Sequence, residues 1–113
     1  MQFRMTEQAY LVLLALAEQP RHGYGIVQEV RDLSAGSVKL GAGTLYGILD
    51  RLVLAGYAEA SGEVVVDGRL RRYYRLTEPG RAELAAETAR LAALARRAQR
   101  VLTAGPRPAL GGV

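Results

Sequence analysis

From Val38 to Tyr57 the chain reads VKLGAGTLYGILDRLVLAGY, and the apolar spacing there points to one local structure. Leu45, Ile48, Leu49 and Leu52 stand at i, i+3, i+4 and i+7, the repeat of a single helix face. The opposite face carries Gly43, Tyr46, Gly47, Asp50 and Leu54, with Arg51 at its margin. A glycine-punctuated lead-in opens this helix and Gly56 closes it. Such a helix can bury one side in a core while the other side meets something outside the fold.

The segments before it are helical too. Thr6 is a good N-cap for a first helix running to about Glu18, with Glu7 beside the positive end of its dipole. The apolar residues of this helix form two faces, one of Ala9, Val12, Leu13 and Leu16, the other of Tyr10, Leu14 and Ala17. A helix that is apolar nearly all round is buried on more than one side. In so small a chain that predicts one side packed internally and the other against a partner chain, a central helix in a monomer being the alternative. Pro20 ends the helix, and Arg21 to Gly25 bridges into a second whose stripe is Ile26, Val27, Val30 and Leu33. Ser34 to Ser37 reads as a turn, so the second and third helices fit a helix-turn-helix. His22 is the only histidine; without a cysteine or a nearby carboxylate pair it reads as a structural residue at a helix start.

Beyond Gly56 the period changes. Tyr57 to Ala60 and Glu63 to Val66 are strand-like, and Asp67-Gly68 is a two-residue hairpin signal. The returning strand, Arg69 to Leu76, sets Leu70, Arg72, Tyr74 and Leu76 on one side and Arg71, Tyr73 and Arg75 on the other. Arg69, Arg71 and Arg72 cluster by the hairpin tip. On a solvated edge such charges would only deter aggregation; beside a helix-turn-helix they suit phosphate oxygens, which match arginine's planar fork. Thr77 as N-cap and Pro79 in the first turn begin a last helix that runs to about Thr103. Leu84, Leu91 and Ala98 recur every seven residues and Leu94 and Val101 fill the intervening position, which Glu87 interrupts, a weak coiled-coil seam but a reasonable dimer arm if it also packs on the first helix. Ala104 to Val113, rich in glycine and proline, reads as a disordered tail.

Composition narrows the function classes. The 113 residues make one domain's worth of chain, with a formal net charge of +4. The pI of about 9.9 lies above the value of about 9 that flags nucleic-acid-binding domains. The absence of cysteine excludes disulfides, thiolate nucleophiles and thiolate-held metals, and a single histidine removes a His-pair zinc site. No nucleophile–base pair, metal cluster or phosphate-cradling motif is present, so neither an enzyme nor a cofactor is expected. The longest apolar run, Ala9 to Ala17, is far short of the roughly 20 residues that span a bilayer. With no secretory signal at the N-terminus, the expected location is the cytoplasm, away from membranes.

Several motifs occur in a fixed order: His22-Gly23-Tyr24-Gly25-Ile26, then Gly43-Thr44-Leu45-Tyr46 followed by Leu49, Arg51-Leu52 and Gly56, and last Arg72-Tyr73-Tyr74-Arg75-Leu76-Thr77 with Gly80. In order and spacing they resemble the PadR family of transcriptional regulators, in its short form with a single C-terminal helix. The resemblance implies a winged helix-turn-helix, a homodimer built on the last helix, and repression by occupying double-stranded operator DNA. It also implies a third helix in the major groove and a wing along the backbone or minor groove. Release by a small aromatic effector is a further implication, with no effector-binding residues identified. The match departs at Gly47 and Asp50, where relatives usually carry larger or basic residues.

The expected fold is therefore mainly α with a small β-hairpin. Residues 1–77 form a winged helix-turn-helix DNA-binding domain, 78–103 a C-terminal dimerisation helix and 104–113 the tail. The expected DNA-binding residues are Ala42, Gly43, Thr44, Tyr46, Arg51, Arg69, Arg71 and Arg72. The expected dimer interface is Tyr10, Leu14, Leu84, Leu91, Leu94, Ala98 and Val101. The rival reading is a winged-helix module that binds a protein partner and no DNA.

Overall fold

The computed structural model describes residues 3–109. Thr6 caps α1 (Glu7–Glu18), its side chain accepting the amide hydrogen of Ala9. After Pro20 the chain extends for two residues, β1 (Arg21–His22), before α2 (Gly23–Leu33). A turn leads to α3 (Ala42–Leu54), closed at Ala55 with Gly56 at a φ of 80°. The hairpin strands β2 (Ala58–Val66) and β3 (Arg69–Leu76) follow, and then α4 (Glu78–Ala104), capped by Thr77. At 27 residues α4 is about 40 Å long, which gives the chain its 67 Å long dimension.

The core lies where α1, α2 and α3 meet the base of the hairpin. Val12, Leu13 and Leu16 from α1, Ile26 and Val30 from α2, and Leu45, Ile48, Leu49 and Leu52 from α3 are all buried. These are the stripes expected of α1 and α3. Leu33 departs from its expected place: it is exposed at the end of α2, and Leu40 from the following turn joins the core instead.

The sheet has three antiparallel strands in the order β1-β3-β2, one more than a hairpin. Arg21 pairs with Tyr74 and His22 with Tyr73, so the bridge expected before α2 is an edge strand. Arg21 fastens that edge, with Nε donating to the Ala15 carbonyl at 2.9 Å and the fork near Glu18 and Glu29. The two strand-like pieces after Gly56 are one strand, with the register shifting between Ala60 and Gly62. That bulge seats Gly62 at a φ of 127°, open to glycine at little cost. At the tip Asp67 and Gly68 both have positive φ, the turn whose twist matches two right-twisted strands.

Gly80 and Leu84 seat the start of α4 on this body. Gly80 packs so closely on the Tyr57 carbonyl that a β carbon there would collide with it. Leu84 is 7 % exposed and belongs to the core, so its place in the expected dimer seam is taken within the protomer. The helix ends at Ala104, one residue beyond the expected limit. Gly105 to Ala109 form no regular structure, and residues 110–113 of the expected tail lie outside the described residues.

Candidate nucleic-acid interface

The outer face of α3 is open along its length, with Ala42, Gly43, Thr44, Tyr46, Asp50 and Arg51 exposed. Gly41 supplies no side-chain cap, so the first amides of α3 point outward without a partner from that residue. An uncapped helix start attracts an anion through those amides and the helix dipole.

Tyr46 stands at the centre of this surface, 47 % exposed. Its ring lies against the start of α2, where Gly23 is buried. On one side Tyr46 lines a cleft of about 290 Å³ together with Tyr24, Val27, Leu40, Ala42 and Arg71. On the other it lines a second, of about 310 Å³, with Glu63, Leu70, Arg72 and Tyr74. The start of α2, the start of α3 and the hairpin thus converge around one phenol ring.

The three arginines expected beside the hairpin tip occupy three different environments. Arg69 is exposed and has no ion-pair partner among the described residues. Arg72 lies 3.6 Å from Glu63 in a largely exposed pair, which is worth little in water. Arg71 is half-buried and borders the first cleft, and its Nε is enclosed with no hydrogen-bond partner in the protein. A buried, unmet donor on a cation is costly unless a ligand or water completes it. Arg75, on the same strand, is held by Glu59 at 2.9 Å.

His22 ties this surface to the scaffold. Its Nδ1 accepts the Gly25 amide hydrogen at 3.2 Å, capping α2, and its ring meets Tyr73 edge-on at 5.2 Å. Burial, and then the charge of Arg71, hold the imidazole below its ordinary pKa. His22 is therefore a neutral cap, the structural part expected of it.

The expected interface residues on the helical side fall into two groups. Tyr10, Leu14 and Leu91 are half-buried, with the Tyr10 hydroxyl 2.8 Å from the Thr88 hydroxyl where α1 meets α4. Leu94, Ala98 and Val101 are exposed further along α4. Two residues of the α3 surface escape a reading of the sequence, Tyr24 and Gly23. The signal available was their place in the His22-Gly23-Tyr24-Gly25 motif, which the sequence reads as a bridge between helices and as part of the family resemblance, without assigning either residue to the surface. No helix among the described residues is long and apolar enough to cross a membrane.

The profile of the Transcriptional regulator PadR-like family matches residues 12–86. Transcriptional regulator Rv3488 of Mycobacterium tuberculosis is 41% identical over 85 residues, covering 75% of this chain and 76% of that protein. The crystal structure of smu.1704 from Streptococcus mutans shares the fold with a TM-score of 0.75 at 25% identity, covering 96% of this chain and 100% of that one. Bacillus subtilis PadR, in complex with operator DNA, shares it with a TM-score of 0.63 at 17% identity, over 97% of this chain and 54% of that one.

Proposed function

This chain belongs to the PadR-like family of transcriptional regulators, and from that premise we propose that it is a homodimeric repressor occupying operator DNA in the cytoplasm. The observation that carries the reading is the open face of α3, whose uncapped start lies beside the unmet Nε of Arg71. Residues 1–77 form the DNA-binding unit and 78–103 the dimerisation helix. That the same fold holds operator DNA in Bacillus subtilis PadR supports the choice of partner.

In this reading phosphate contacts position the protein and base contacts specify the site. Arg69, Arg71, Arg72 and the amides near Ala42, Gly43 and Thr44 hold the backbone. Thr44, Tyr46 and Arg51 meet the groove or its nearest phosphates. The dimer sets two copies of α3 on half-sites about 34–36 Å apart, one turn of DNA. Its interface is built from Tyr10, Leu14, Leu91, Leu94, Ala98 and Val101. A small aromatic effector releases the DNA by binding one arrangement of the dimer more tightly than the other.

The test is operator binding as a function of salt, with DNA from upstream of the gene. Neutralising phosphates releases counterions, so log K falls linearly with log salt. Replacing Arg71 and Arg72 together with alanine lowers that slope by roughly two units if both meet phosphates. An unchanged slope removes the wing from the reading. Footprinting with and without aromatic acids tests half-site spacing and release in the same assay.

A further inference from the structure

We propose that Arg51 reads a guanine in the major groove, and that the lack of a long side chain at Gly47 keeps open the space through which it extends. The proposal rests on the DNA-binding reading above. Gly47 lies one turn before Arg51 on α3, and a β carbon built on it would meet Nη1 of Arg51 at 3.8 Å, its nearest neighbour. The guanidinium therefore extends over the bare backbone of Gly47. Long helical side chains lean this way, toward the N-terminal turn.

This geometry changes what Gly47 means. By sequence position Arg51 belongs to the margin of the outer face, where a helix in a groove passes the phosphates. Folded over Gly47, its fork moves toward the middle of the face, where base edges lie. The glycine contributes no contact of its own; it leaves the space in which a neighbour's donors are held.

Two observations favour a base over a phosphate. Asp50 is exposed on the same face with no ion-pair partner among the described residues, and its carboxylate repels phosphate oxygens. Arg51 is likewise in no ion pair among the described residues, so its fork is free to donate. Guanine presents O6 and N7 side by side in the major groove, the acceptor pair that an arginine fork meets with two hydrogen bonds. Lysine, a single rotatable ammonium, reproduces the charge and not the fork.

The experiment is site selection from a randomised duplex library with the full-length protein, comparing wild type, Arg51→Lys, Arg51→Ala and Gly47→Leu. Wild type selects a guanine at one position of each half-site. Both Arg51 variants lose that preference by about 5-fold to 150-fold, the span of one bidentate base contact. Preference at the other positions stays unchanged, and Arg51→Lys keeps the wild-type salt slope. Gly47→Leu, which fills the seat while keeping Arg51, loses the same guanine and no other position. A guanine preference that survives both Arg51 variants overturns the proposal. So does a uniform loss of affinity with a salt slope reduced by about one, which marks a phosphate contact. Wild-type protein that selects no DNA at all overturns the DNA-binding reading itself, an outcome distinct from either. All three substitutions lie outside the core, so equal melting temperatures verify that folding is intact.

Discussion

The Tyr46 hydroxyl lies 2.5 Å from the point where a β carbon on Gly23 would sit, with the ring carbon behind it at 3.1 Å. The start of α2 is thus shaped to receive the central side chain of the α3 surface. Because the atom that would be struck is the far end of a half-exposed side chain, the ring can swing aside. On the proposed reading its position matters to DNA binding more than to stability.

Gly23→Ala is accordingly expected to cost under about 1 kcal/mol of folding free energy, below the usual penalty for overfilling a core. It should nevertheless weaken operator binding several-fold by displacing the Tyr46 ring. Titrating operator into Gly23→Ala, Tyr46→Ala and the double variant checks this, since coupled residues do not add. If Gly23→Ala weakens binding as much in the Tyr46→Ala background as alone, the ring is not the intermediary.

Gly80 gives the opposite forecast from a similar overlap. A β carbon there would strike the Tyr57 carbonyl and come within 2.9 Å of Leu76 Cδ1. That carbonyl is fixed, because it accepts the Thr77 amide hydrogen at 3.1 Å while the Thr77 hydroxyl donates to the Gly56 carbonyl at 2.5 Å. Backbone held this way cannot rotate aside as a phenol can. Gly80→Ala should lose about 1–3 kcal/mol, although alanine is intrinsically the better helix former by about 1 kcal/mol. Urea denaturation followed by circular dichroism measures it, and a variant as stable as wild type would show that the α4 junction yields.

The contrast also marks what a sequence can disclose. Thr6 and Thr77 declare helix starts by their chemistry, the leucines of α3 declare a buried face by their spacing, and Asp67-Gly68 declares a turn. Each is a local property of the chain. Arg21 and His22 carry no strand pattern, and they are extended only because β3 offers them an edge. Leu33 continues the α2 stripe, yet Leu40 takes the space in the core. Strand alternation groups Arg71 with Tyr73, but the packing of the sheet on α2 decides that Arg71 borders the cleft beside Tyr46. Gly47 reads as an absent contact until the side chain of Arg51 is seen over it. What the sequence withheld is tertiary in origin.

The His22 cap makes stability depend on pH. Its imidazole is held below 6.5 in the folded chain, so as pH falls the unfolded chain takes up the proton first. The stability it supplies is complete above about 6.5 and is lost as pH falls through the lower folded value. Glu87, held down by its hydrogen bond to Arg90, adds its own loss only in the carboxylate range, below 4.5. Replacing His22 with asparagine, an N-cap that does not titrate, should flatten the denaturation midpoint between pH 7 and 5. His22→Ala, which has no cap, should cost about 1 kcal/mol at pH 7. Equal pH dependence in wild type and the asparagine variant would assign the acid lability elsewhere.

Leu84 and Leu94 share a helix and a chemistry, and their surroundings separate what their removal should do. Leu84 is 7 % exposed, packed within the protomer; Leu94 is 56 % exposed on the free length of α4. Leu84→Ala leaves a cavity in the core and should cost about 2–5 kcal/mol. Leu94→Arg removes no internal packing, so the protomer should keep its fold. It places a cation with Arg90 and Arg97 at the face proposed to meet a second copy, so the assembled species should dissociate at micromolar concentration. Sedimentation velocity on the two variants distinguishes them. Should Leu94→Arg sediment as wild type does at every concentration, the dimer contact lies elsewhere than on this stretch of α4, and the half-reach of Tyr10 and Leu14 along α1 becomes the surface to alter next.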